Sequence, residues 1–117
     1  MEYIDGYILA VKNDKKQEYI DFAKRMVPAF KKHGALNVVE TWGTDVPEGK
    51  VTSFSMAVKR EEDESVVFSW VTWPDKATRD AAWPALEADE EMAHLFETMP
   101  FDGKRIIFGG FETIVNE

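Results

Sequence analysis

The 117-residue chain carries 14 basic against 22 acidic residues, a formal net charge of −8, and is 44% hydrophobic and 13% aromatic with no cysteine. This balance argues against a nucleic-acid binder, which needs clustered basic residues to neutralise phosphates, and the missing cysteine excludes disulfides, thiolate nucleophiles and cysteine-held metal centres. No stretch approaches membrane-spanning length and no charged leader precedes an apolar run, so a cytoplasmic protein of one domain, residues 1–117, without nucleic-acid or membrane partners, is expected.

Tyr3 to Lys12 reads as a first strand, with Ile4, Ile8 and Ala10 alternating against Tyr7, Leu9 and Val11. Both faces are apolar, which points to a strand covered on both sides. Asp14 with Gln17 three residues on predicts a reciprocal capping box at the start of a helix. Tyr19, Phe22, Ala23, Met26, Val27 and Phe30 then recur at helical spacing as one apolar stripe. Pro28 predicts a kink near Lys24, and Gly34 suits the left-handed residue that ends the helix.

Leu36 to Gly43 reads as a second strand, with Leu36, Val38, Glu40 and Trp42 on one face. Residues 44–50 hold Pro47 and Gly49 and read as a loop. Val51 to Val58 is too short for periodicity to decide between a helical turn capped by Thr52 and a further piece of strand.

Ser65 to Trp73 is the third strand and is apolar on both sides, which predicts a central place in the sheet. Pro74 ends it and Asp75 caps a second helix, where Ala77, Ala81, Ala82, Ala85, Leu86 and Ala88 offer a small-residue surface that would let it lie close to the sheet. Pro84 predicts a kink or break, and Asp89 restarts a short helix through Met92, Leu95 and Phe96. After the turn at Asp102-Gly103, Arg105 to Asn116 reads as the last strand. Gly109-Gly110 within it predicts a bulge or a close approach to the backbone.

The order is β-α-β-β-α-β, the split arrangement of ferredoxin-like α+β domains with an antiparallel sheet. Helices cover one face of such a sheet only. Apolar groups on both faces of three strands therefore predict a homodimer in which a second sheet covers the other face, forming a barrel across a two-fold axis.

The runs V-V-F-S-W (Val66 to Trp70), P-D-K-A-T-R-D (Pro74 to Asp80) and M-P-F-D-G-K-R-I-I-F-G-G-F (Met99 to Phe111) resemble the YbaA-like bacterial family. The opening Y-I-D-G-Y (Tyr3 to Tyr7) and V-V-E-T-W-G-T-D-V-P-E-G-K-V-T (Val38 to Thr52) fit the same family, so the resemblance spans nearly the whole chain. It implies the dimeric α+β barrel fold and brings no established activity and no catalytic residues. Proteins of that broader fold include cofactor-free monooxygenases, muconolactone isomerase-like enzymes, haem peroxidases and ligand-binding modules, so function has to be argued from the site.

Three constellations stand out. Asp75, Lys76, Arg79 and Asp80 place opposite charges four apart on a helix, either as surface ion pairs or with Arg79 as a clamp for a bound anion. Tyr7, Trp42, Trp70, Trp73 and Phe108 are candidates to line an aromatic ligand pocket, or else belong to core and interface. Glu40 is in phase with apolar strand residues, either as a general base with a raised pKa or paired with Arg105 or facing water. His33 and His94 lack companions at ligand spacing, and there is no phosphate loop, nucleophile elbow or HExxH, so no metal and no cofactor are expected. The reading is a homodimeric, cytoplasmic small-ligand-binding module. The alternative is a cofactor-independent monooxygenase or isomerase acting on a small apolar, aromatic or keto substrate, with Glu40 or Asp75 as base and Arg79 as anion clamp.

Overall fold

The computed structural model describes residues 1–117. Strands β1 (Tyr3–Lys12), β2 (Asn37–Trp42), β3 (Glu64–Trp73) and β4 (Ile107–Glu112) form one antiparallel sheet in the order β2-β3-β1-β4. Helices α1 (Lys16–Lys32), α2 (Phe54–Ala57), α3 (Lys76–Ala88) and α4 (Glu90–Glu97) complete the chain. The fold is α+β and ferredoxin-like, with a one-turn α2 inserted before β3 and α4 following α3. β1 and β3, apolar on both faces, are the two central strands.

Strand register sorts the side chains into two faces, because successive residues of a strand point to opposite sides. Tyr7 lies opposite Ser69 on one side and Phe108 on the other, and Glu40 lies opposite Ser69. Asp5, Tyr7, Leu9 and Val11 therefore share a face with Val67, Ser69, Val71 and Trp73, and with Val38, Glu40 and Trp42 of β2. Helices α1, α3 and α4 cover this inner face. Its core joins Leu9, Val11, Val67 and Trp73 to Phe22 and Phe30 of α1, Leu86 of α3 and Met92 and Leu95 of α4. Full burial of each such aliphatic or aromatic side chain stabilises the fold by about 1.5–3 kcal/mol.

The outer face has no such cover. Ile4, Ile8 and Trp70 are half-buried there, and Phe68, Ile107 and Phe111 are exposed at 47%, 41% and 61%. Only a small cluster of Ala10, Val58 and Val66, with Ile8 against it, is buried on that side. Phe54 of α2 packs edge-on to Phe68, and Phe68 packs against Trp70.

Several local expectations change. The capping box at Asp14 and Gln17 does not form: Asn13–Lys15 is a 3-10 turn, no side chain caps α1, and Gln17 instead donates to Asp21 at 3.0 Å. The tight turn carries the chain straight from β1 into the helix, so an extended capping residue has no place. Residues 51–58 resolve as the turn of helix α2, capped by Ser53, which accepts from the Met56 N–H, and not by Thr52. Pro84 sits inside α3 without ending it. The break comes at Asp89, where the restart was expected: its extended backbone ends α3 and its carboxylate accepts from the Met92 N–H at the start of α4. α1 likewise runs through Pro28. It ends where Gly34 adopts φ +108°, a conformation glycine takes without steric penalty. β4 is shorter than expected, six residues: it pairs with β1 from Ile107, opposite Ile8, to Glu112, opposite Tyr3 where β1 begins, and beyond it the Thr113 N–H donates to the Glu2 carbonyl.

Candidate ligand-binding site

Between the inner face of the sheet and the helices lies a cavity of about 720 Å3. Its floor is a row of side chains running across all four strands at one level: Phe108, Tyr7, Ser69 and Glu40. Ser69 is the smallest of the four, and it leaves room above the sheet between the two larger polar groups. α1 supplies Tyr19, Phe22, Met26 and Phe30 to the walls. α3 supplies Arg79, Trp83 and Glu87, and the segment after α4 supplies Met99, Phe101 and Ile106. Phe101 packs edge-on against both Tyr19 and Phe22, which fixes that segment against α1.

Glu40 is reachable by solvent on edge strand β2, yet protein surrounds most of its carboxylate. Its Oε1 accepts a hydrogen bond from the Tyr19 hydroxyl at 2.6 Å. Partial loss of hydration pushes its pKa above the ordinary glutamate value, against the opposing pull of the Tyr19 and Ser69 hydroxyls. Arg105, the partner considered for it from sequence, is engaged elsewhere. Arg105 grips Glu64 in two-point fashion, Nη1 to Oε1 at 2.7 Å and Nη2 to Oε2 at 2.8 Å.

At the other side of the floor, the Tyr7 hydroxyl is buried and finds no hydrogen-bond partner in the protein. Burial, followed by the Asp5 charge, pushes its pKa upward, so it stays protonated. Its ring packs tilted against Phe108, with centroids 6.4 Å apart.

One level along β1, Asp5 forms the densest polar network of the chain. Its carboxylate is 3% exposed and accepts from Trp73 Nε1 at 2.9 Å, Trp83 Nε1 at 3.1 Å and both Nε and Nη2 of Arg79, at 3.0 and 2.7 Å. Arg79 also reaches Asp80 through Nη1 at 3.0 Å and lies over the Tyr3 ring, 5.3 Å from its centroid. Its pKa is held above the ordinary arginine value, mainly by the Asp5 hydrogen bonds. The tip of Tyr3 and the guanidinium crowd Gly110, where a Cβ would sit 2.5 Å from the Tyr3 hydroxyl and 2.8 Å from Arg79 Nη2. That is the close approach expected for the Gly109-Gly110 pair.

Of the residues singled out from sequence, Tyr7, Glu40, Arg79, Asp80 and Phe108 line the cavity. Trp42, Trp70, Trp73 and Asp75 do not. Trp42 lies on the inner face at the edge strand, with the Lys16 ammonium over its ring. Trp70 points to the outer face, in register with Gly6. Trp73 stands behind the cavity wall and orients Asp5. Asp75 caps α3, accepting from the Thr78 N–H at 2.7 Å, and does not pair with Arg79. The pairing of Lys76 with Asp80 forms at 2.7 Å on the surface. Sequence reasoning missed Asp5, Tyr19, Ser69, Trp83 and Phe101. The available signal was Asp5 itself, a carboxylate in phase with Tyr7 and Leu9 on an otherwise apolar strand. No three His, Cys, Asp or Glu side chains gather as a metal-binding group, and no helix is long and apolar enough to cross a membrane.

The whole chain is 54% identical over 117 residues, the full length of both proteins, to the "Uncharacterized protein YbaA" of Escherichia coli strain K12 and to that of Shigella flexneri. Among solved structures, it is similar to a dimeric ferredoxin-like protein from an uncultured marine organism. The TM-score is 0.58 at 13% identity, over 94% of this chain and 91% of that one, a likeness of fold. The family described as a protein of unknown function, DUF1428, matches residues 2–103, and the chain belongs to that family.

Proposed function

We propose that this protein is a cytoplasmic homodimer that binds a small, mostly apolar molecule between its sheet and its helices. The cavity carries the reading: about 720 Å3, walled mostly by aromatic and aliphatic side chains, with a smaller polar set that includes Glu40 and Ser69 at the floor and Arg79 on the α3 side. Ligand sites are commonly of this size and make-up. The apolar walls are open to solvent at Phe108, and a ligand that covers them removes apolar surface from water, worth roughly 25 cal/mol per Å2. The dimer is supported by the apolar outer face, where Phe68, Ile107 and Phe111 are exposed, and by the dimeric state of the structural relative.

A second reading, cofactor-independent proton transfer on a bound substrate, is favoured by one observation. Glu40 combines a raised pKa with access to the cavity and a hydrogen bond from Tyr19, the setting of a general base. Asp75 has no part in it, and the donors of Arg79 are taken up by Asp5 and Asp80. Ligand binding is tested by a thermal-shift and native mass spectrometry screen with small aromatic compounds. Stabilisation by some of them that disappears in Ser69→Phe, which sets a ring into the room above the floor, supports the site. Stabilisation that survives this substitution places binding elsewhere. Turnover of a bound compound that stops in Glu40→Gln separates the enzyme from the simple binder.

A further inference from the structure

The charges around the cavity are unequal. Four carboxylates line it, those of Asp5, Glu40, Asp80 and Glu87, against the single guanidinium of Arg79. That guanidinium is already committed. Nε and Nη2 bind Asp5, Nη1 binds Asp80, and the Tyr3 ring lies under its plane. Lys76, the nearest further base on α3, turns to Asp80 on the surface. An anionic ligand would therefore enter a space with no cation free to receive it.

Glu40 is in the opposite position. Its carboxylate is accessible at the floor, and its partners there are the neutral hydroxyls of Tyr19 and Ser69, with no base beside it. Next to it the Tyr19 ring packs against Phe22 and Phe101, and beyond Ser69 the rings of Tyr7 and Phe108 continue the floor; the faces of such rings carry the negative lobe of the aromatic quadrupole. The chain as a whole, at −8, attracts cations and repels anions at long range.

We propose that the cavity takes an amine: a ligand whose ammonium group pairs with Glu40 and whose apolar body packs among the aromatic rings. The proposal rests on the ligand-binding reading and narrows it by charge. It removes the carboxylate-bearing compounds, keto acids included, that an anion clamp at Arg79 would have selected. The ammonium donates to the Glu40 oxygens left free by Tyr19, and the ring faces complete its surroundings without competing for the charge.

The test is calorimetric titration of the full chain with probes that share one body and differ in charge: tryptamine, tryptophol and indole-3-acetate. Tryptamine is expected to bind at least about 10-fold more tightly than tryptophol, a difference of about 1.4 kcal/mol, and indole-3-acetate most weakly. Glu40→Gln should erase the advantage of tryptamine over tryptophol. N-acetyltryptamine, with the charge removed from the ligand instead of the protein, should fall to the level of tryptophol, an arm that does not depend on the variant folding. Equal or tighter binding of tryptophol or indole-3-acetate overturns the amine proposal and leaves the cavity reading standing. So does an amine preference that survives Glu40→Gln. Failure of all the probes to bind at millimolar concentration removes the cavity reading itself, and the proposal with it.

Discussion

Arg79 and Asp5, 74 residues apart in the chain, meet through a two-point contact in which Nη2 and Nε of the guanidinium stand 2.7 and 3.0 Å from Oδ1 of the carboxylate. This contact fastens α3 to the central strand β1. It is closed from behind by the indole N–H groups of Trp73 and Trp83. Breaking it from one side leaves a buried carboxylate short of its charge partner. Arg79→Ala is expected to lower unfolding free energy by roughly 3–5 kcal/mol, read as a shift of the urea midpoint. Arg79→Lys should lose a substantial part of the same amount, because a point charge cannot hold the carboxylate in a planar fork. A variant as stable as the parent would mean that the two indoles suffice.

Glu64 gives the fold an acid-sensitive point. Only 4% exposed although close to the surface, it is held by Arg105, and its pKa is lowered to about 2, chiefly by those hydrogen bonds. A carboxyl with a depressed folded pKa contributes stability that is fully present above its unfolded value, near 4.5, and is lost as pH falls towards 2. Denaturation series between those pH values should show a loss of roughly 2–3 kcal/mol from this residue. The slope over that window should flatten in Glu64→Gln. An unchanged slope would remove Glu64 from the acid transition.

Glu40 behaves in the opposite sense. Its raised pKa means that the folded chain favours the protonated form, so its contribution is present below the ordinary glutamate value and is lost as pH rises through the folded pKa. Tyr19 opposes the rise by donating to the carboxylate. Tyr19→Phe should therefore push the Glu40 pKa still higher, as followed by carboxyl carbon NMR. A fall in that variant would contradict the arrangement.

The unpartnered Tyr7 hydroxyl predicts an unusual result for a core-facing substitution. Tyr7→Phe removes a buried polar atom that forms no hydrogen bond, and it leaves the ring in contact with Phe108. Stability should hold or rise by about 1 kcal/mol in chemical denaturation. A loss of more than that would show that the hydroxyl has a partner in solution.

The outer face of the sheet predicts the assembly. Light scattering should report twice the 13.4 kDa chain mass. Phe111→Glu, at a position 61% exposed in the protomer, should return it to the single-chain mass with the helical signal intact. A parent protein of single-chain mass at micromolar concentration would refute the dimer.

Periodicity and punctuation along the chain determined the order of elements, the central place of Val66 to Trp73, the Asp75 cap and the turn at Gly34. Each of these depends on neighbours within a few residues, where alternation, helical spacing and capping chemistry act. The same local signals placed Asp89 at the start of α4 and misplaced the α1 cap, where a tight turn prevailed. The family resemblance pointed to the fold without naming a site. Only tertiary structure decided which aromatic and charged groups share a space. Strand register set Tyr7, Ser69 and Glu40 in one row and turned Trp70 to the opposite face. Packing of α3 on the sheet brought Arg79 to Asp5 and away from Asp75. Those outcomes depend on pairings between residues tens of positions apart, and a shift of one residue in register would reverse every face.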